Sequence, residues 1–260
     1  MKEDYQQRFG AIGRLYGHSK FKNIAKRHVA VIGIGGVGTW CCEALVRSGI
    51  KEITIMDLDE ICITNTNRQA HALNNSIGQS KIEVMAQRLK LINPDIRINM
   101  LNDFFSESSC EQLFKLNPDV IVDAIDGLSN KCLLISQCYQ RKVPVVTSGG
   151  AAGKFDITKV QVADLGDACQ DMLLKRMRKK LRREFGFEKG KNKFGILAVS
   201  NTERAIYPGK DGETCFKKEL EDSKSTALDC STGMGTSCMM TGTFGFACAQ
   251  AAIELINELP

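Results

Sequence analysis

The sequence is 260 residues long, enough for one large α/β domain or for a domain with an extension. Hydrophobic residues make up 43% of it, ample for a buried core, and the net charge of +5 permits an anionic partner without requiring one. None of the eleven cysteines forms a Cys-x-x-Cys pair, so we expect no zinc site of paired thiolates. The polar N-terminus is not that of a signal peptide, and we expect a protein of the reducing cytoplasm.

Strands and helices alternate along the first 150 residues. The apolar run 28–32 predicts a buried parallel strand, and the helix after it is predicted at 37–48. The further predicted strands are 52–57, 96–101, 119–123 and 143–147, and the further predicted helices are 78–92, 111–116 and 128–140. This order predicts a Rossmann-like, doubly wound α/β fold with a mainly parallel sheet, whose ligands lie at the carboxyl ends of the strands.

The chain changes character after residue 150. Residues 172–193 carry ten Lys and Arg against two Glu. The other predicted elements here are strands at 157–163, 196–199 and 205–207 and a last helix at 236–259. No repeat or linker is found, so we expect a single domain over 1–260, with a nucleotide-binding core at 27–150 and a C-terminal extension at 151–260.

A glycine-rich turn joins the first predicted strand to the first predicted helix. Its glycines are Gly33, Gly35, Gly36 and Gly38. They allow a tight turn and a close backbone approach, and the N-terminus of the following helix would face a phosphate. The motif alone is shared by most dinucleotide-binding domains.

Charged residues downstream of the turn favour ATP over NAD. An NAD site needs one acidic residue for the ribose, a role that suits Asp57, but Arg68 and Lys81 follow it. Arginine grips phosphates with two hydrogen bonds and lysine offers a point charge, so the two suit a triphosphate. Asp126 offers Mg²⁺ a hard oxygen, directly or through water. Each residue alone could equally be solvated or ion-paired, but together they predict a site for magnesium and ATP.

These residues resemble the motifs of the ubiquitin-activating-enzyme-like superfamily, which includes sulfur-carrier adenylyltransferases. The motifs are Gly33-x-Gly35-Gly36-x-Gly38, Asp57-x-Asp59, Asn65-x-x-Arg68-Gln69, Lys81 and Asp123-Ala-x-Asp126. The resemblance implies that Asp57 binds the ribose, that Asn65, Arg68 and Lys81 bind phosphates, with Asp59 and Gln69 in the same nucleotide site, and that Asp126 binds magnesium. It also implies a homodimer whose partner subunit supplies an N-terminal arginine; Arg8 is the best match by position and Arg14 the second.

Longer stretches resemble the tRNA threonylcarbamoyladenosine dehydratases, while the paired zinc cysteines of the sulfur-carrier branch are absent. These stretches are Arg8-Phe-Gly with Arg14-Leu-Tyr-Gly17, Thr64–Gln69, Thr147-Ser-Gly-Gly-Ala, Gln161-Val-Ala-Asp-Leu, the basic run before Phe185-Gly186, and Asp229-Cys230-Ser. The resemblance implies ATP-dependent cyclisation of the threonylcarbamoyl group on the adenosine beside the tRNA anticodon, through adenylation of the threonyl carboxylate. It leaves open whether a monovalent cation (Na⁺ or K⁺) is held and whether a sulfur-delivery (cysteine desulfurase) system is a partner of this protein.

The basic run predicts an amphipathic helix with Leu174, Met177 and Leu181 facing inward. Its tRNA-binding candidates are Lys175, Arg176, Arg178, Lys179, Lys180, Arg182 and Arg183. Such a cluster would track phosphates without reading sequence; the alternative is a solvated helix face. The rival functions are a sulfur-carrier adenylyltransferase, a nucleotide-sensing binding module and an NAD oxidoreductase.

Two further features favour structural roles. Cys230 has no electropositive setting in the sequence, so we expect an incidental thiol. Residues 230–253 carry no Asp, Glu, Lys or Arg and are long enough to span a bilayer. Their four glycines and six Ser or Thr favour a loop leading into a buried or dimer-interface helix, so we do not expect membrane association.

Overall fold

The computed structural model describes residues 3–188, 193–217 and 234–259. Seven strands form one sheet in the order β3-β2-β1-β4-β5-β7-β6, with β6 antiparallel to β7 at one edge and all other pairs parallel. The strands are β1 His28–Ile32, β2 Glu52–Met56, β3 Arg97–Leu101, β4 Val120–Asp123, β5 Val145–Ser148, β6 Val160–Asp164 and β7 Leu197–Asn201. The predicted Rossmann-like, mainly parallel sheet is confirmed. A separate hairpin pairs β8 Tyr207–Pro208 with β9 Thr214–Cys215.

Helices cover both faces of the sheet. They are α1 Glu3–Tyr16, α2 His18–Ile24, α3 Gly36–Arg47, α4 Lys81–Ile92, α5 Cys110–Phe114, α6 Leu128–Arg141, α7 Met172–Glu184 and α8 Cys238–Glu258. In β1, Val29 and Val31 point into the core formed with α3, α4 and α8, while Ala30 and Ile32 point into the core formed with α5, α6 and α7. A strand buried on both faces is apolar at every position, which explains the continuous run at 28–32.

The C-terminal part of the chain completes the sheet and one of its layers. It supplies β6 and β7, and α8 packs along α3 and beneath β4 and β5. A Cβ on Gly245 would lie 2.6 Å from the carbonyl oxygen of Val37, so glycine permits this close helix packing. Helix α8 is long and apolar enough to cross a membrane, but 61% of its apolar window is buried within the protein. The predicted buried helix is therefore present, whereas Cys230 and the start of the uncharged run lie outside the described residues.

Several elements of the structure differ from the sequence expectations. The strand predicted at 205–207 is only the short β8 at Tyr207–Pro208, outside the main sheet. Helices α1 and α2 precede the first strand and pack together through Tyr5, Phe9 and Phe21. At 157–163 the alternation begins in a 3₁₀ turn over Ile157–Lys159, so the strand starts only at Val160. The side chain of Asp156 caps this turn by accepting from the Thr158 N–H, which favours a turn over an extended strand.

Candidate functional site

The glycine-rich turn connects β1 to α3 at the carboxyl edge of the sheet, where it contacts the end of β2 and the loop after β4. Gly33 has φ +91°, and its N–H donates to the Met56 carbonyl oxygen at 2.9 Å. A Cβ on Gly33 would lie 2.8 Å from the Ala124 carbonyl oxygen, and a Cβ on Gly38 would lie 1.9 Å from that of Gly33. The turn is therefore pressed against the loop after β4 while α3 begins directly above it. Gly35 faces more open space, its nearest neighbour being Gln69 Nε2 at 4.0 Å from a built Cβ.

Asp57 follows β2 and is held beside this turn. Its side chain is 7% exposed and accepts from the Ile34 N–H at 2.6 Å and from the Asp59 N–H at 2.9 Å. Burial raises the pKa of Asp57, and the charge of Lys81 and the two N–H donors partly offset that rise. Lys81 opens α4, and its Nζ lies 2.6 Å from Asp59 Oδ2 and 3.9 Å from Asp57 Oδ1. The two carboxylates and the ammonium group thus come together, as the family resemblance implied.

Arg68 lies in the loop between β2 and α4, which α3 and α8 hold in place. The Arg68 carbonyl oxygen accepts from Trp40 Nε1 at 3.0 Å and from Thr241 Oγ1 at 3.2 Å. Its Nη1 donates to the Thr64 carbonyl oxygen at 2.8 Å and to Asn67 Oδ1 at 3.0 Å. The backbone of Arg68 is fixed while its guanidinium group rests on loop acceptors that an anion can replace.

Asn65 and Gln69 are both buried in the same loop. Asn65 Oδ1 accepts from the Cys62 N–H at 3.0 Å, so this side chain shapes the loop. Gln69 Oε1 is buried without a hydrogen-bond partner among the described residues. An unpaired buried amide oxygen next to the glycine-rich turn fits a site that a polar ligand completes.

His71 supports the turn from below. It is fully buried, and its Nε2 lies 3.2 Å from the Ile34 carbonyl oxygen, which can only accept. Burial lowers the pKa of His71 to about 4, so the ring is neutral near pH 7 with its proton on Nε2. The same residue, Ile34, is therefore held at its N–H by Asp57 and at its carbonyl by His71.

Asp123, the last residue of β4, lies inside the protein, whereas Asp126, in the loop after β4, lies at the surface. Asp123 is fully buried, and its Oδ2 lies 2.9 Å from Nζ of Lys131, a lysine with 0% exposure. Asp126 is exposed at the carboxyl edge of the sheet, three residues after β4 ends. Sequence reasoning missed Lys131, although a lysine on the apolar face of α6, four residues before Ile135, was a signal.

The ThiF family model matches residues 9–260. The chain belongs to the ThiF family. A tRNA threonylcarbamoyladenosine dehydratase of Escherichia coli (strain K12) is 41% identical over 255 residues, which span 98% of this chain and 95% of that protein. One of Haemophilus influenzae is 43% identical over 253 residues, covering 97% and 94%. A solved structure of the E. coli tRNA N6-threonylcarbamoyladenosine dehydratase, TcdA, in complex with ATP matches with a TM-score of 0.86 at 38% identity, covering 98% of this chain and 96% of that one.

Within this ThiF-family fold, Arg8 lies far from the turn of its own chain. It lines a surface groove with Arg47, the last residue of α3, and with Arg88 of α4. Twelve helical residues rise about 18 Å, so Arg8 sits at the opposite end of α3 from Gly36. Its Nε pairs with Asp4 at 3.1 Å within α1. The structure therefore does not bring Arg8 to Asp57, Arg68 or Lys81 of the same chain.

The basic residues of α7 divide by what they contact. The apolar side packs inward as predicted, through Leu174, Met177 and Leu181. Arg178 Nη1 donates to the carbonyl oxygens of Leu165 at 3.0 Å and Ala168 at 2.7 Å, so it holds the loop after β6. The Arg182 guanidinium group lies 4.8 Å from the Phe194 ring centroid. Lys180 pairs with Glu184 at 3.2 Å, and Arg183 also contacts Glu184.

The remaining three cations of α7 form what we call the outer stripe: Lys175, Arg176 and Lys179. All three side chains are exposed and make no hydrogen bond or ion pair within the described residues. Lys175 and Lys179 are four residues apart, so they share one side of the helix, and Arg176 lies three residues before Lys179. Like charges at this spacing repel, so a polyanion would relieve an unfavourable arrangement.

Proposed function

We propose that the chain is an ATP-dependent tRNA threonylcarbamoyladenosine dehydratase. The observation that carries the proposal is the fixed Asp57 carboxylate beside the glycine-rich turn, with Lys81 next to it. It occurs in a chain that is 41% identical over 255 residues to a protein of that name. The chain thus has both a site suited to a nucleotide and nearly full-length similarity to the dehydratases.

The reaction requires activation of a carboxylate. One oxygen of the threonyl carboxylate attacks the α-phosphorus of ATP, the bond to pyrophosphate breaks, and an acyl-adenylate forms. A carbamoyl nitrogen of the same group then attacks the acyl carbon, AMP leaves with the carboxylate oxygen, and the nitrogen loses a proton. The sum is cyclisation with loss of water. Because both reacting groups belong to one substituent, holding them in one conformer supplies much of the rate.

Residues of this chain account for the groups that adenylation needs. Asp57 is placed to accept from ribose hydroxyls, and the exchangeable contacts of Arg68 and Lys81 suit a phosphate chain. Magnesium is bound in such sites by one or two carboxylates, substrate phosphates and waters. The exposed Asp126 carboxylate fits that donor set, so we assign the metal to it; no residue is assigned to Na⁺ or K⁺.

The partners follow from the surface charges and from the position of Arg8. The outer stripe would contact tRNA phosphates, and Arg8 would complete the site of the second subunit of a homodimer. The remaining α7 cations would act around it, Arg178 through the loop it holds. A cytoplasmic location fits a tRNA-modifying enzyme. A cysteine desulfurase partner rests on the resemblance alone.

Removing the Asp126 carboxylate tests the assignment. We expect Asp126→Ala to lose AMP release with tRNA and ATP by about 100-fold, with an unchanged circular dichroism spectrum. Asp95→Ala is the matched control, because Asp95 is an exposed aspartate just before β3, at the amino ends of the parallel strands. AMP release near the unmodified rate in Asp126→Ala would rule out the metal role.

A further inference from the structure

Lys131 is a buried lysine whose side-chain bonds all go to the end of β4 and the loop after it. Its side chain is completely inaccessible, and Nζ lies 2.9 Å from Asp123 Oδ2. The same Nζ donates to the Ile125 carbonyl oxygen at 2.9 Å and is 3.5 Å from that of Asp123. The three N–H directions of the ammonium group are therefore all directed at residues 123–125.

Asp123 completes the network from the strand side. Its Oδ2 also accepts from Thr147 Oγ1 of β5 at 2.7 Å, and its Oδ1 accepts from the Ile125 N–H at 3.1 Å. Both backbone polar groups of Ile125 are thus held, the N–H by Asp123 and the carbonyl by Lys131. The preceding carbonyl, that of Ala124, rests against Gly33. The next residue along the chain is Asp126.

Stability alone is a weak reason for such a pair. Replacing a buried ion pair by apolar side chains of similar volume is often neutral or stabilising, because desolvation offsets the attraction between the charges. What the pair supplies is a fixed backbone path between β4 and α6, at the point where the sheet order reverses from β1 to β4. Ligands of doubly wound sheets bind at that point.

We propose that Lys131 is a positioning residue for the metal-binding carboxylate. With Asp123 it holds residues 124 and 125 against the glycine-rich turn, so that Asp126 stands at a fixed place beside the nucleotide. The inference rests on the proposed function, because it takes Asp126 as the magnesium ligand. Lys131 touches neither the nucleotide residues nor the outside of the protein, so it acts only through the loop.

The test removes both charges together. Lys131→Met alone leaves a buried unpaired carboxylate and would destabilise the fold, so the informative variant is Asp123→Asn/Lys131→Met. Asparagine keeps an acceptor for the Ile125 N–H, while methionine removes the donor to its carbonyl. We expect a urea midpoint near that of the unmodified protein and metal-free ATP affinity within about 3-fold. Mn²⁺ affinity in the presence of ATP, read by electron paramagnetic resonance, should fall about 10-fold or more.

Two outcomes are decisive. A folded double variant with unmodified Mn²⁺ affinity overturns the proposal. Equal losses of metal-free ATP affinity and of Mn²⁺ affinity also overturn it, because they would indicate a purely structural role.

A second variant, Thr147→Val, keeps the ion pair and removes one hydrogen bond to Asp123. We expect it to lower Mn²⁺ affinity by about 2- to 3-fold, and an unchanged Mn²⁺ affinity in this variant counts against the network. If the proposed function fails, the unmodified protein releases no AMP with tRNA, yet the Mn²⁺ titration still reports on the loop.

Discussion

Replacing Gly38 with alanine should force apart two elements that form the glycine-rich turn. A Cβ at this position lies 1.9 Å from the Gly33 carbonyl oxygen. Carbon and carbonyl oxygen approach to about 3.3 Å at the closest, so the first turn of α3 and Gly33 must separate by roughly 1.4 Å. Because the obstacle is backbone, no side chain can rotate away. The cost should lie at the top of the overpacking range, about 3 kcal/mol.

Thermal unfolding and ATP titration measure this effect together. One kcal/mol shifts the Tm of a domain of this size by about 2–4 °C, so we expect Gly38→Ala to lose about 6–12 °C. ATP affinity should fall as well, because the N–H groups that open α3 move with the helix. Gly35→Ala is the matched control: its φ is −92° and its Cβ meets only Gln69 Nε2 at 4.0 Å. Its Tm should stay within about 1 °C, since overpacking is absent.

The result that would refute this reasoning is a Gly38→Ala protein with the unmodified Tm and ATP affinity. Such a protein would show that α3 does not approach Gly33 as closely as the structure has it. A loss of ATP affinity in Gly35→Ala at constant Tm would instead mean that the added methyl group occupies space that ATP needs.

Three further predictions concern charge. Changing the three residues of the outer stripe to glutamine should reduce the slope of log K for tRNA binding against log salt concentration by about 2 to 3. The same change at the exposed Lys20, Lys22 and Lys26 should leave that slope unchanged. An unchanged slope in the outer-stripe variant would mean that this side of α7 is only a solvated face. His71 has a pKa of about 4 when folded against about 6.5 when unfolded, so stability is full above pH 6.5 and falls by about 3 kcal/mol as the pH drops to 4. The free energy of unfolding of His71→Gln in urea should lack this part of the pH dependence, and the same pH profile in the variant as in the unmodified protein would contradict the prediction. Mixed dimers of Arg8→Ala and Lys81→Ala subunits should regain about half of the AMP release through one intact site in two, and no recovery would exclude a shared site.

The sheet could be predicted because its signals are local. Runs such as 29–32 are apolar at every position, Asp57 follows β2 directly, and Asp123 is the last residue of β4. Helices α1 and α2 were not predicted, because the packing of Tyr5 and Phe9 on Phe21 depends on a turn at Gly17 with φ +90°.

The site was predictable in part for the same reason. The motif residues Asp57, Asp59 and Lys81 come together because the loop between β2 and α4 returns to its starting point, where Glu60 pairs with Ser80. The side chains of Lys131 and Arg178 donate to backbone carbonyl oxygens of neighbouring loops, and residue spacing does not identify such acceptors. The sequence of α7 shows how many cations the helix carries, but only the structure shows that Arg178 is directed inward.

Nucleoside mass spectrometry of tRNA tests the central claim most directly. Unmodified protein is incubated with ATP, Mg²⁺ and tRNA that carries threonylcarbamoyladenosine, and the nucleosides are then analysed, with Asp126→Ala as the inactive reference. The account predicts a nucleoside lighter by one water, formed only with ATP and matched mole for mole by AMP. Unchanged threonylcarbamoyladenosine with an active preparation that binds ATP would contradict it, and AMP transfer to the C-terminus of a ubiquitin-like carrier would then identify the rival activity.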